Sequence, residues 1–118
     1  MTQEDKELLF KDLCARIPYG VKVQSTFYNC DGTIWKYENE ILTAGLLGYP
    51  ITRYKPYLFP LSSMTDEQKK EYNLLRNMVD KELYDTWESI DYLNDHYFDY
   101  RGLIYKGLAI DATGLNIY

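Results

Sequence analysis

The stretch His96–Tyr118, HYFDYRGLIYKGLAIDATGLNIY, places the strongest condition on the fold. It carries Leu103, Ile104, Leu108, Ile110, Leu115 and Ile117, too many aliphatic side chains for a solvated tail. Gly102, Gly107 and Gly114 interrupt it, so no helical or alternating period runs its length. A segment that needs burial but has no regular structure of its own must lie across a core made by other residues. The expectation is a mostly irregular C-terminal strap closed over whatever residues 1–95 build.

Those residues read as a helix followed by short strands and then more helix. Residues 3–16 have Thr2 as N-cap and Asp5 three positions on, with Leu9, Leu13 and Ile17, joined by Phe10 and Cys14, on one face. Pro18 ends the helix. From Tyr19 the period becomes two, and turns at Asp31-Gly32, Glu38–Glu40 and Gly48–Pro50 divide residues 19–54 into four short strands. Connections this short make an antiparallel meander, which can roll toward an SH3-like barrel. Lys55–Pro60, with two prolines, reads as an extended connector, packed through Leu58 and Phe59.

Thr65 and Gln68 form a capping box for a second helix. An apolar stripe then runs from Tyr72 through Leu75, Met78, Val79 and Leu83 to Trp87, Ile90, Leu93 and Tyr97 with no glycine or proline. One helix of that length would reach about 50 Å, far beyond a domain this size. The stripe is therefore expected to break near Asp85, with Thr86 capping a further segment. The fold class expected is α+β in one domain, 1–118: N-terminal helix, four-stranded meander, two C-terminal helical segments and the strap. Its core is expected to contain Leu9, Leu13, Val21, Val23, Phe27, Trp35, Leu58, Phe59, Leu75, Val79, Trp87 and Ile90.

Charge narrows the partners. The net charge is −5, and between Thr65 and Asp99 ten acids face four bases. An acidic helical half with no basic patch disfavours nucleic acid and is compatible with a protein partner that has a basic surface. Thirteen tyrosines suit a thin core and a binding surface alike. Cys14 and Cys30 have no metal spacing, no signal-peptide pattern opens the chain, and no apolar run is long enough to span a membrane. A cytoplasmic protein with free thiols is expected, with no membrane association.

The C-terminal stretch, together with LFKDLCARIPYGVKV and KPYLFPLSSMTDEQKKEY, resembles small uncharacterised proteins encoded by gut Bacteroidales and their phages or other mobile elements. The resemblance covers both ends and the middle, with residues 24–52 and 76–92 outside it. It implies a bacterial host and an accessory role but no chemistry.

Three constellations are candidate sites. Asp85, Glu88, Asp91, Asp95 and Asp99 step by three or four, which lines them along one side of a helix. Such a row is ordinarily a solvated face, it can meet a basic partner, and it lacks the turned carbonyls of a cation site. His96, the only histidine, lies beside Asp95 and Asp99, but one histidine makes no usual zinc site and no nucleophile is framed for catalysis. Arg101 at the helix end, grouped with Lys106, Arg53 or Lys55 and nearby tyrosines, can hold a small anion such as a metabolite or nucleotide; a structural ion pair is the plainer reading of Arg101. The candidate binding residues are thus Tyr57, Asp91, Asp95, His96, Asp99, Tyr100 and Arg101, with no catalytic residue, metal or cofactor. The expected function is a non-catalytic accessory protein that binds a host or element protein, the alternative a binder of a small anionic ligand.

Overall fold

The computed structural model describes residues 1–118 and has an α+β fold. In chain order its elements are α1 (Gln3–Arg16), β1 (Lys22–Tyr28), β2 (Ile34–Ile41), β3 (Tyr54–Pro60), α2 (Asp66–Leu74), β4 (Asn77–Val79), β5 (Glu82–Tyr84), α3 (Trp87–Asp95), β6 (Phe98–Asp99) and β7 (Ile110–Asp111). Thr2 caps α1 by accepting the Asp5 N–H at 3.0 Å, and a short 3-10 turn through Pro18 ends it. The helix buries Leu9, Asp12, Leu13 and Arg16. Phe10 and Cys14, expected on that face, are exposed, because the buried stripe is rotated to take in an ion pair.

Of the expected four-stranded meander, the first hairpin is present. Asp31 turns it by accepting the Thr33 N–H at 3.0 Å, beside Gly32 at φ +87°. The expected third strand is instead the tail of β2 and a 3-10 turn at Ala44–Gly48, and the expected fourth is a 3-10 turn at Ile51–Arg53. The third strand beside the hairpin comes from the supposed connector: β3 pairs antiparallel with β1 through Val23↔Pro56 and Ser25↔Tyr54. Its prolines fit because Pro56 lies where β3 pairs only with β1 and Pro60 is its last residue. β2 pairs with β1 alone, so the sheet is open rather than an SH3-like barrel.

The strap completes this sheet. Both of its two-residue strands run parallel to β3, β7 at Tyr57↔Ile110 and β6 at Phe59↔Phe98. The Phe59 N–H donates to the Tyr97 carbonyl and the Ala112 N–H to the Leu58 carbonyl, each at 2.8 Å. Between those strands the strap stays irregular, and its side chains enter two clusters. Leu103, Leu108 and Ala109 join Leu9, Leu13, Val21, Val23, Leu42, Tyr54 and Leu58; Ala112 and Ile117 pack on Tyr57. Only Leu115 among its six aliphatic residues is exposed. Tyr118 fastens the far end: its hydroxyl accepts the Lys22 N–H at 2.8 Å and donates to the Tyr57 carbonyl at 2.9 Å. Its ring stacks at 3.6 Å on Tyr97, whose φ of +60° is held by a hydroxyl bond to the Tyr19 carbonyl.

α2 begins at the expected box on Thr65 and α3 at the expected cap on Thr86, but α2 stops at Leu74, well before the break expected near Asp85. Between them, however, lies a second hairpin, β4–β5, rather than helix. Leu75, Val79 and Trp87 are consequently exposed, Trp87 by 86%, and Trp35 on β2 is exposed by 57%. The third core cluster is Met64, Leu93 and Phe98, with Ile90 and Phe59 half-buried against it. The β4–β5 turn places two non-glycine residues in the left-handed region, Asp80 at φ +50° and Lys81 at φ +69°. Relieving one of them by Lys81→Gly should stabilise the hairpin by about 1 kcal/mol. Hydrogen exchange at the Val79 and Glu82 amides should then slow about fivefold, and unchanged exchange would show that the turn is not strained.

Candidate functional site

The first hairpin reaches past the core that covers the start of β1. Val23 and Ser25 are buried, but Phe27 is half-exposed, and Trp35 and Tyr37, paired with Phe27 and Ser25 on the same face, are exposed. The 3-10 segment after β2 folds back over part of this face, held by the Tyr54 hydroxyl, which donates to the Leu46 carbonyl at 2.7 Å. What remains open is a groove of about 880 Å³ lined by Phe27, Trp35, Tyr37, Leu46, Tyr49 and Arg53, with Lys36, Glu38 and Glu40.

Its aromatic rings are fixed in position. Phe27 meets Tyr37 edge-on at 5.7 Å and Tyr49 edge-on at 5.9 Å. The Arg53 guanidinium lies 4.9 Å from the Phe27 ring centre and 5.4 Å from that of Tyr49. Arg53 takes part in none of the chain's ion pairs. It is therefore a pre-oriented cation with free donors, steadied by two rings. Glu40 accepts the Ser25 hydroxyl at 3.1 Å. Tyr54, behind the groove, has its hydroxyl pushed above the ordinary phenol range by burial and then by Glu40. The lining offers stacking, apolar burial and charge-assisted hydrogen bonds.

The residues expected to bind do not assemble into one site. Tyr100 and Arg101 belong to an internal ion network, and Asp99 to a turn beside it. Asp12, fully buried, accepts Arg16 Nε at Oδ2 and Arg101 Nη1 at Oδ1, both at 3.0 Å. Arg16, equally buried, also donates to the Phe98 carbonyl at 2.6 Å, and Arg101 Nη1 donates to the Tyr100 hydroxyl at 2.8 Å. Asp99 accepts the Leu103 and Ile104 N–H groups at 3.0 and 2.9 Å, which starts the strap's first turn. Tyr57 is buried against Ala112 and Ile117. Asp91 and Asp95 are exposed on α3, with Asp91 beside Tyr19, whose hydroxyl is held above the ordinary range first by desolvation and then by that carboxylate. His96 stacks on Tyr92 at 4.0 Å, and its Nδ1 lies 2.9 Å from the Tyr92 carbonyl. A carbonyl only accepts, so Nδ1 carries a proton and caps α3. Arg53, Lys55 and Lys106 do not join Arg101.

The acidic row is likewise divided, with only Glu88, Asp91 and Asp95 on α3. Asp85 precedes the helix and accepts the Tyr72 and Ser89 hydroxyls, with Arg76 at 3.5 Å. Desolvation and then Asp85 push the Tyr72 hydroxyl up to about 12, so it stays a proton donor. The carboxylates do not gather into a cluster. Sequence reasoning missed the groove because it assigned Phe27 and Trp35 to the core. The signal present was β2 itself, IWKYENEI, where Ile34 and Trp35 put apolar side chains on both faces of one strand.

No family model, curated protein or solved structure matches the chain.

Proposed function

We propose that this protein is a non-catalytic binding module that takes a protein partner in the hairpin groove. The observation that carries the reading is the exposed, mutually braced set of Phe27, Trp35, Tyr37, Tyr49 and Arg53. Trp, Tyr and Arg are the residue types that dominate binding energy at protein interfaces. An open aromatic face at the end of a rigid hairpin also carries little ordering penalty on binding. The surface acids of α2, the β4–β5 hairpin and α3 favour a partner whose surface is basic. The resemblance to small mobile-element proteins of Bacteroidales supports a setting in the cytoplasm of a bacterial host, with a host or element protein as the partner. The free guanidinium of Arg53 supports a second reading, a small anionic ligand stacked on the groove's rings.

The test is affinity capture from the bacterial host, with protein and small-molecule mass spectrometry of what is retained. Trp35→Ala and Arg53→Ala should each abolish retention of a protein partner while leaving the thermal melt unchanged. Retention by both variants would remove the groove from consideration. A bound metabolite lost on Arg53→Ala, with no protein retained, would favour the second reading.

A further inference from the structure

Val79 and Tyr84 share one face of the β4–β5 hairpin with Asn77, since Asn77 pairs with Tyr84 and Val79 lies two residues further along β4. Both are exposed, and so is Trp87 at the start of α3. Asn77 and Trp87 border a cleft of about 520 Å³, lined also by Asp85, Glu88 and the half-buried Ile90. Large apolar side chains from three consecutive elements thus stand in water on the cleft's side of the hairpin. Single exposed apolar residues are ordinary, but a group of them is the usual mark of a docking face.

The charge around this face is one-sided. Residues 77–95 hold six acids and one base, a net of −5 that equals the whole chain's, while the other residues balance at twelve acids and twelve bases. Asp85 is met by Arg76 at 3.5 Å, but Asp80, Glu82, Glu88 and Asp91 take part in none of the chain's ion pairs. A second copy would set like charge against like, and nucleic acid or an anionic membrane would be repelled. We propose that this face docks a lysine- or arginine-rich segment of another protein, with an apolar side chain of that segment in the cleft against Trp87 and Ile90. Tryptophan is among the residue types that dominate binding energy, and the unpaired carboxylates select a cationic partner and speed its approach. The face shares no residue with the hairpin groove and would bind with that groove empty.

Isothermal titration of the full chain with two synthetic amphipathic peptides tests it, one of leucine and lysine, the other with glutamate in place of lysine. The chain should bind the lysine peptide, more weakly as salt is raised, and should not bind the glutamate peptide. Trp87→Ala should weaken that binding about tenfold, and Glu88→Gln about threefold. Trp87 is exposed, so its loss should leave the melt unchanged. The chain has two tryptophans, so in Trp35→Phe the emission comes from Trp87 alone and should move to shorter wavelength as the peptide covers it. Lysine-peptide binding that survives Trp35→Ala and Arg53→Ala but fails with Trp87→Ala supports the proposal and leaves the groove to its own capture test. No binding of the lysine peptide, equal binding of both peptides, or binding unmoved by Trp87→Ala overturns it. So does binding that Arg53→Ala removes, which assigns the peptide to the hairpin groove.

Discussion

Replacing Asp12 by alanine is expected to remove about 3–5 kcal/mol of folding stability, a large share of the roughly 5–15 kcal/mol typical of a domain. Asp12 and Arg16 are fully buried, and the Arg101 side chain is only 15% exposed. Without the carboxylate, a fully buried guanidinium and a largely buried one lose the anion between them. The aromatic ring of Tyr100, 4.5 Å from Arg101 and 5.3 Å from Arg16, cannot replace an anion. Asp12→Asn keeps the shape and some acceptor capacity, so it should fall between alanine and the native residue. Urea unfolding of the three proteins measures this, and a loss below about 1 kcal/mol for alanine would mean that solvent enters the network. The bond is also architectural, because Asp12 joins α1 to the strap across 89 positions of sequence.

A chain lacking residues 103–118 should fail to fold. Leu103, Leu108 and Ile117 each contribute about 1.5–3 kcal/mol by leaving water, and their removal uncovers Leu9, Leu13, Val21 and Leu58 as well. The truncation also takes away β7 and the first-turn donors that satisfy Asp99. Insolubility, or a chain with no cooperative melt, is the outcome expected. A soluble truncation with an unchanged melt would make the strap a detachable arm, whose apolar residues belong to a partner.

The strap's role was legible because its demand for burial is independent of how that burial is achieved. The capping box of Thr65 with Gln68 and the N-cap at Thr86 were legible too, since both are local chemistry. Residues 77–84 were not, because Leu75, Met78, Val79 and Leu83 satisfy a helical period by coincidence, and Asp80-Lys81 makes its turn without the glycine that would announce it. β3 was hidden by its prolines, which only the short extents of β6 and β7 render harmless. A structural ion pair was the plainer reading of Arg101, but its partner, Asp12, is a residue no local pattern links to it. The groove was obscured by a reasonable rule: aromatic residues alternating on a strand usually face a core, and here the core stops short of them.

The parallel pairing of β6 and β7 on β3 bears on when the protein can assemble. Lys22 is fastened to Tyr118 and Arg16 to the Phe98 carbonyl, across 96 and 82 positions. Contacts this distant make folding slow, and here they include the strap's share of the cover over the central sheet's apolar face. During synthesis, α1 and the first hairpin emerge with Leu9, Leu13, Val21 and Val23 uncovered, and they stay so until the segment through Tyr118 has cleared the ribosome. Until the strap has emerged, the nascent chain is an open half-sheet with an aromatic hairpin at one end, the form in which a chaperone or a neighbouring copy would first meet it.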